Sequence, residues 1–506
     1  MNDSFDFNDL FVLDLANNHQ GDVEHALRII REVGDVVRAN GARAAFKFQF
    51  RQLDAFVHPA HQTGSKNKHI PRFLATRLGR DHFARLTEAV RAAGMLTIST
   101  PFDEESVEMI DDLGIEVIKV ASCSALDWPL LEKIATYTKP VIVSTGGLML
   151  SDIDDLVSFL DHRRVHFALM HCVSIYPTPD QQLELNQVEV IRWRHPSKVV
   201  GFSTHEVPDE TCAVMLAIAK GAKMLERHVG IATDTGKLNA YSSTPAQVDA
   251  WVKAAQRTKV MLGHPERGPA PAEEIASLDS LKRGVFIRDP IKAGGTLRRE
   301  DVYFAMPYTE GQLSSGQWKD GIVVHDDLAK DAPVLLPRIT RPAPTEKAVL
   351  FHTIHEIKAM LNEARIALNT DFRLEFSHHF GLAEFEKTGA TIIECINRDY
   401  CKKLIVQLPG QHHPSHYHKK KEESFQVLWG MLDIELEGRR RTLYPGDIQL
   451  VPQGCWHEFS TRTGVIFEEV STTHFNNDSF YEDKRINTIS REARKTIVSN
   501  WGRYQI

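Results

Sequence analysis

The 506-residue sequence contains no apolar run approaching the ~18 residues that a membrane-spanning helix needs. Its opening stretch, Met1–Asn8, is polar, unlike a secretory leader. Positive charge is not in excess: 60 Lys and Arg stand against 67 Asp and Glu, a net charge of −7. No bulk field therefore calls for nucleic acid or an anionic membrane as a partner. Cysteine is sparse, with Cys123, Cys172, Cys212, Cys395, Cys401 and Cys455 showing no paired spacing. That argues against a disulfide framework and fits reduced thiols in a cytoplasm. Repeats and low-complexity tracts are missing as well. What is plentiful is histidine, 24 copies with several in tight clusters, which points to metal chemistry. The length exceeds one core at about 100–200 residues per domain, so two to four domains are expected.

Eight short apolar or β-branched runs lie between Phe11 and about Leu262: Phe11–Ala16, Ala44–Phe50, Met95–Thr100, Val117–Ala121, Val141–Ser144, Phe167–Cys172, Val199–Ser203 and Lys223–His228. Stretches with apolar residues at helical spacing separate them, such as Val23–Arg38 and Glu104–Leu113. Eightfold strand–helix alternation over this length predicts a (β/α)8 TIM barrel over residues 1–265; a doubly wound open sheet is the structural rival. Proline-rich residues 266–279 read as a linker. Residues 280–338, with Lys292-Ala-Gly-Gly295 as a turn, read as a small β-rich module. Residues 339–370 read as a second linker with a helix over Ile354–Ala367. Residues 371–485 show many short strands with Gly and Pro turns, a small β-sandwich or barrel, and 486–506 read as a tail.

TIM barrels place catalytic groups at the C-terminal ends of their strands. Here the runs end in Asp14, Asn18 and His19; Lys47 and Gln49; Thr100; Lys119 and Ser122; Ser144 and Thr145; His171, Ser174 and Tyr176; His205; and Glu226 and His228. Lysine in a buried strand needs a partner or a task, because a bare buried charge is costly. Lys47 and Lys119, with Ser122 and Ser144, suit a multiply charged anion such as a phosphate ester. His205 and His228 end neighbouring strands and can share one divalent cation, with Asp14 and Glu226 completing or orienting it. Lys119 by itself also fits a Schiff-base lysine. A metal-dependent or Schiff-base aldolase or lyase, and a non-catalytic sugar-binding sensor, therefore stand as alternatives.

The segments Asn18-His-Gln-Gly21, Lys47-Phe-Gln49, Ser99-Thr-Pro-Phe102 and Ile118-Lys-Val-Ala-Ser122 resemble the sialic acid synthase family. So do Ser144-Thr-Gly146, His171-Cys172, Tyr176-Pro-Thr-Pro179, Gly201-Phe-Ser-Thr-His205 and Leu225-Glu-Arg-His228. The match runs in order over about residues 9–265. The resemblance implies a transferase that condenses phosphoenolpyruvate with an aldehyde amino sugar such as N-acetylmannosamine and releases phosphate. Lys47, Lys119, Ser122, Ser144 and Ser174 would then hold phosphoenolpyruvate. His205 and His228 would bind Mn or Mg, while Gln49, Tyr176 and Asp14 would face the sugar. Asp14, Lys47, Lys119 and Glu226 are the catalytic candidates. The module at 280–338 is similar to the family's antifreeze-like (SAF) domain, and the resemblance implies a homodimer.

Four departures from the family pattern fall mostly on the sugar side. Asp14 stands where the family usually has Glu. Thr204 stands in the usual Ser-Asp-His motif. Gly236-Lys-Leu238 replaces Gly-Pro-Asp, and Met306-Pro307 replaces Arg-Pro. An altered aldehyde substrate is expected.

The stretch from Gly410 through His416, His418 and Glu423 to Gly430 follows the first cupin motif. Gly446 through Pro452 and Gly454 to His457 follows the second, with Thr461 in place of the usual Asn. His416 and His418, two residues apart, share one strand face, so with Glu423 and His457 they can converge on a second divalent ion of unknown identity. Glu422 is the alternative carboxylate, and Lys419–Lys421 read as an exposed charged edge.

Overall fold

The computed structural model describes residues 5–234, 237–265, 267–368, 372–498 and 501. It divides into two compact units, Met1–Pro269 and Ala270–Ile506.

The first unit is a closed eight-stranded parallel barrel with the strands in sequence order. They are β1 (Leu10–Asp14), β2 (Arg43–Phe50), β3 (Leu96–Pro101), β4 (Val117–Val120), β5 (Val141–Ser144), β6 (Phe167–Cys172), β7 (Val200–Thr204) and β8 (Met224–His228). The expected TIM barrel is what forms. β1 stops at Asp14 rather than Ala16 because Asp14 Oδ1 accepts the Ala16 amide at 2.8 Å and Ala16 takes a positive φ of 45°. The helices bury their apolar stripes on the strands. In Val23–Ala39, Ala26, Ile29, Ile30, Val33 and Val37 face inward behind an Asp22 cap.

Side chains alternate across the strands, and the alternation is what creates the site. Inside the barrel a lower apolar layer contains Leu10, Val12, Ala45, Ile98, Val117, Ile142, Ala168, Met170 and Met224. The next inward positions along β1, β2, β4, β5 and β8 are Asp14, Lys47, Lys119, Ser144 and Glu226. The register pairs Asp14 with both Lys47 and His228, and Ser203 with Glu226. An apolar plug below and a charged layer above follow directly from the period of two.

In the second unit the segment expected as a linker over 266–279 carries the start of a helix, Ala272–Leu281. The prolines end at Pro271, and Glu273 and Glu274 in the first turn suit the positive end of a helix dipole. A small module follows. Gly284–Ile287 pairs with Val302–Ala305, and Thr296–Leu297, Ile322–Val324 and Ile339–Thr340 form a second sheet. Val285, Ile287, Leu297, Val302, Leu313, Ile322, Val324 and Val334 make its own core.

The helix expected at Ile354–Ala367 spans Glu346–Glu363, because the Thr345 hydroxyl accepts the Ala348 amide and starts it earlier. The remaining strands form a seven-stranded and a five-stranded sheet. The tail assigned to 486–506 is also corrected. Lys495–Val498 adds an antiparallel edge strand to Arg373–Ser377, placing Val498 in that core. No described helix is long and apolar enough to cross a membrane.

Candidate active site and metal centres

Four buried ionic side chains meet at the top of the barrel. Lys47 Nζ lies 2.6 Å from Glu226 Oε1 and 3.0 Å from Asp14 Oδ2, and Lys119 Nζ lies 3.6 Å from Glu226 Oε2. Lys119 also donates to Ser144 Oγ. Gln49 Nε2 donates to Asp14 Oδ2 at 3.2 Å, and Ser203 Oγ donates to Glu226 at 3.3 Å. Burial opposes the charge on both lysines and on Glu226, yet the partners overcome it at Lys47 and Glu226. Asp14 and Glu226 hold Lys47 above the ordinary lysine range, and Lys119 and Lys47 bring Glu226 down to about 2. At Lys119 burial wins and lowers the pKa.

Beside this cluster, Gly146 on the loop after β5 lets three polar side chains close together. Its amide donates to Ser122 Oγ at 3.0 Å, and Ser122 Oγ is 3.2 Å from Cys172 Sγ. A Cβ at Gly146 would lie 2.8 Å from Ser122 Oγ and 2.9 Å from both Cys172 Sγ and Ser174 Oγ. No residue with a side chain fits there without displacing them. The hydroxyl end of the half-exposed Tyr176 lies against Ser174, and its desolvation there raises its pKa to about 12.

The His205 and His228 rings are 5.4 Å apart. Tyr176 lies 4.4 Å from His205, and Tyr241 lies 5.2 Å from His228. His205 Nδ1 bonds Val173 O at 2.9 Å, which leaves Nε2 available, and burial pushes the ring down to about 3. His228 Nε2 lies 3.4 Å from Asp14 Oδ2, while its Nδ1 is buried without a protein partner. Two neutral imidazoles, one with an orphaned ring nitrogen and a carboxylate at hand, fit a divalent cation.

In the second unit His416, His418 and His457 are buried, with ligand atoms all within 4.8 Å of one another. Each ring has its Nδ1 tied to a backbone carbonyl: Pro414 at 3.0 Å, Asp478 at 2.7 Å and Cys455 at 3.1 Å. That arrangement turns the Nε2 atoms inward, as metal-ligating histidines require. Burial lowers His418 to about 4 and His416 well below the usual histidine value, so both rings are neutral ligands near pH 7. Glu423, and not the exposed Glu422, is buried beside them, with Oε2 3.3 Å from His457 Nε2 and Oε1 3.5 Å from His418 Nε2.

The exposed edge read at Lys419–Lys421 is corrected at its last residue. Lys421 is 3% exposed, pairs with Glu423 and lies 3.0 Å from Glu469, which also takes Lys403 at 3.0 Å. It sits in the loop before the strand Glu423–Gly430, its amide donating to Asp478, and its side chain turns inward between two carboxylates, whereas Lys419 and Lys420 stay outside.

With both sites in place, known proteins offer close parallels. The profile described as "NeuB family" matches residues 35–267, and one described as "Cupin domain" matches residues 404–468. A solved structure, spore coat polysaccharide biosynthesis protein E of Chromobacterium violaceum ATCC 12472, is 43% identical. It covers 66% of this chain and 99% of its own, with a TM-score of 0.62. The chain belongs to the NeuB family. Other relatives include mouse N-acetylneuraminate-9-phosphate synthase, 26% identical over 56% of this chain and 80% of its own. N,N'-diacetyllegionaminic acid synthase of Legionella pneumophila is 24% identical over 58% and 83%.

In this NeuB-family chain every barrel residue singled out from sequence lies at the strand tops. Lys47, Lys119, Asp14, Glu226, Gln49 and Ser144 share one network, Ser122 and Ser174 share the Gly146 cradle, and Tyr176 stands against His205. Sequence reading gave no role to Tyr241, Ser203, Cys172, Gly146 or Arg51. Gly146, Cys172 and Ser203 lay inside the segments that carry the family resemblance, whereas Tyr241 and Arg51 had no signal beyond their place in loops after strands. Of the departures, Thr204 is buried with an unpartnered hydroxyl, and Leu238 packs so close that a Cβ on Gly230 would lie 2.6 Å from it. Met306 is exposed on the small module. Gly236 lies outside the described residues.

Proposed function

We propose that the barrel condenses phosphoenolpyruvate with the aldehyde carbon of an amino sugar such as N-acetylmannosamine, giving a sialic-acid-like sugar acid and inorganic phosphate. The observation that carries this reading is the convergence of Lys47, Lys119, Ser144 and the Ser122–Gly146–Ser174 cradle beside the His205–His228 pair. Relatives named as nonulosonate synthases support it.

The phosphate and carboxylate of phosphoenolpyruvate take the place of the carboxylates that neutralise Lys47 and Lys119 in the free barrel. Ser122 and Ser174 hydroxyls and the Gly146 backbone fix the anion's remaining oxygens. Gln49 and Asp14 orient the sugar, with Tyr176 and Tyr241 walling it in. Carbon 3 of the enolpyruvate then bonds to the aldehyde carbon, whose oxygen takes up a proton. Water adds to carbon 2, losing a proton to a neighbouring base such as Asp14 or Glu226, and phosphate leaves by C–O cleavage. His205 and His228 would hold the barrel's cation, Mn or Mg, which when bound supplies Lewis acidity at the aldehyde oxygen.

The cupin holds a second divalent cation through His416, His418 and His457 with Glu423 alongside. The chain works in the cytoplasm as a homodimer, with the module at 280–338 as its antifreeze-like domain.

Incubation with phosphoenolpyruvate, Mn and a panel of hexosamines and neutral aldoses, reading phosphate and product mass, tests the proposal. Phosphate and a product heavier by the pyruvate unit are expected. No phosphate release with any aldehyde sinks it.

A further inference from the structure

Among the described residues at the barrel mouth, Arg51 is a cation with no role in the reaction above. Arg51 directly follows β2, and its guanidinium lies 4.1 Å from the Phe73 ring centre and 3.6 Å from that of Phe102. Contact with two aromatic faces holds a planar cation in place at small entropic cost. Arg51 Nη2 donates to Gln49 Oε1 at 3.1 Å, and the same amide donates onward to Asp14. Arg51 therefore ends a hydrogen-bonded chain running through Gln49 to Asp14, whose carboxylate lies 3.4 Å from His228 Nε2.

Its positive charge has no mate. Among the described residues no ion pair includes Arg51, and its Nε is buried without a hydrogen-bond partner. The two nearest carboxylates are engaged elsewhere. Asp103 accepts the amides of Gln52 and Ser106, and Asp14 pairs with Lys47. Burial lowers Arg51 to about 10, and the neighbouring Cys123, Asp14 and Asp103 offset that only in part. A largely buried, pre-positioned guanidinium with unused N–H groups is the usual receptor for a planar or tetrahedral oxyanion.

We propose that Arg51 receives an anionic substituent, of the phosphate-ester kind, on the aldehyde sugar, and so sets the barrel's preference for a charged acceptor. The inference rests on the synthase reading. The sugar and not phosphoenolpyruvate is assigned because Arg51 continues the Gln49–Asp14 chain, whereas the anion cradle is built on the loops after β4, β5 and β6.

The test compares wild type with Arg51→Met and Arg51→Lys, using N-acetylmannosamine 6-phosphate and N-acetylmannosamine as acceptors and phosphate release as readout. Calorimetric titration of the phosphorylated sugar gives binding independent of turnover. Arg51→Met is expected to raise KM and Kd for the phosphorylated sugar about twentyfold, the loss of a charge-assisted hydrogen bond. KM for phosphoenolpyruvate and for the neutral sugar should move less than about threefold, and Arg51→Lys should recover part of the loss. An effect on phosphoenolpyruvate alone, an equal effect on both sugars, or no effect overturns the inference. If wild type turns over neither sugar while binding still depends on Arg51, the synthase reading fails and the anion receptor stands.

Discussion

Lys47 and Glu226, 2.6 Å apart and each less than 5% exposed, are joined at the centre of the barrel mouth. The cation offered to an incoming phosphate is thus already neutralised in the free protein, and binding must exchange one anion for another. The exchange keeps the charged layer compatible with burial in both states.

Glu226→Gln should destabilise the ligand-free fold by about 3–5 kcal/mol, because it leaves two buried lysines to Asp14. Chemical denaturation of the variant with and without phosphoenolpyruvate checks this. The ligand should restore more stability to the variant than to wild type, since it supplies the missing anion.

The same residue fixes an acid limb. Glu226 falls to about 2 in the folded protein, below the ordinary carboxylate value of 4.5. A depressed carboxylate adds stability above its unfolded pKa and loses it as pH falls through the folded one. Stability should therefore drop between about pH 4.5 and pH 2, and Glu226→Gln should flatten that limb in acid-unfolding curves.

Gly146→Ala should impair anion binding while leaving the barrel folded. The added Cβ must displace Ser122, Ser174 or Cys172, each at 2.8–2.9 Å. KM for phosphoenolpyruvate is expected to rise about tenfold or more, a displacement cost typical of misplaced substrate groups. Unchanged protection by phosphoenolpyruvate in thermal melts would contradict the cradle.

Metal uptake by the cupin should not require acid–base change near neutrality. His418 sits at about 4 and His416 well below the usual value, so neither carries a proton to lose at pH 6. Cobalt titrations in buffers of different ionisation enthalpy should show less than one proton released per cupin ion. Ordinary histidines near 6.5 would release more.

Lys421→Met should cost about 3–5 kcal/mol, since it leaves the buried Glu423 without its cation while Glu469 keeps only Lys403. Equilibrium unfolding measures it, and a loss below about 1 kcal/mol would mean the pair is hydrated.

The sequence by itself determined the barrel and both constellations. Eight apolar runs, each carrying Lys, His, Ser, Thr or a carboxylate at its end, leave few other places for those side chains. Local spacing likewise set His416, His418 and His457 on adjacent strand faces. Spacing says nothing, however, about what meets across a closed barrel. Only the tertiary structure decided that Lys47 is shared by Asp14 and Glu226, that Arg51 lies against Phe73 and Phe102 without a carboxylate, and that Tyr241 faces His228. It also turned Lys421 inward and made Lys495–Val498 a sheet edge rather than a tail. These are long-range pairings, set by strand register and loop closure between residues tens to hundreds of positions apart, and no local pattern encodes them.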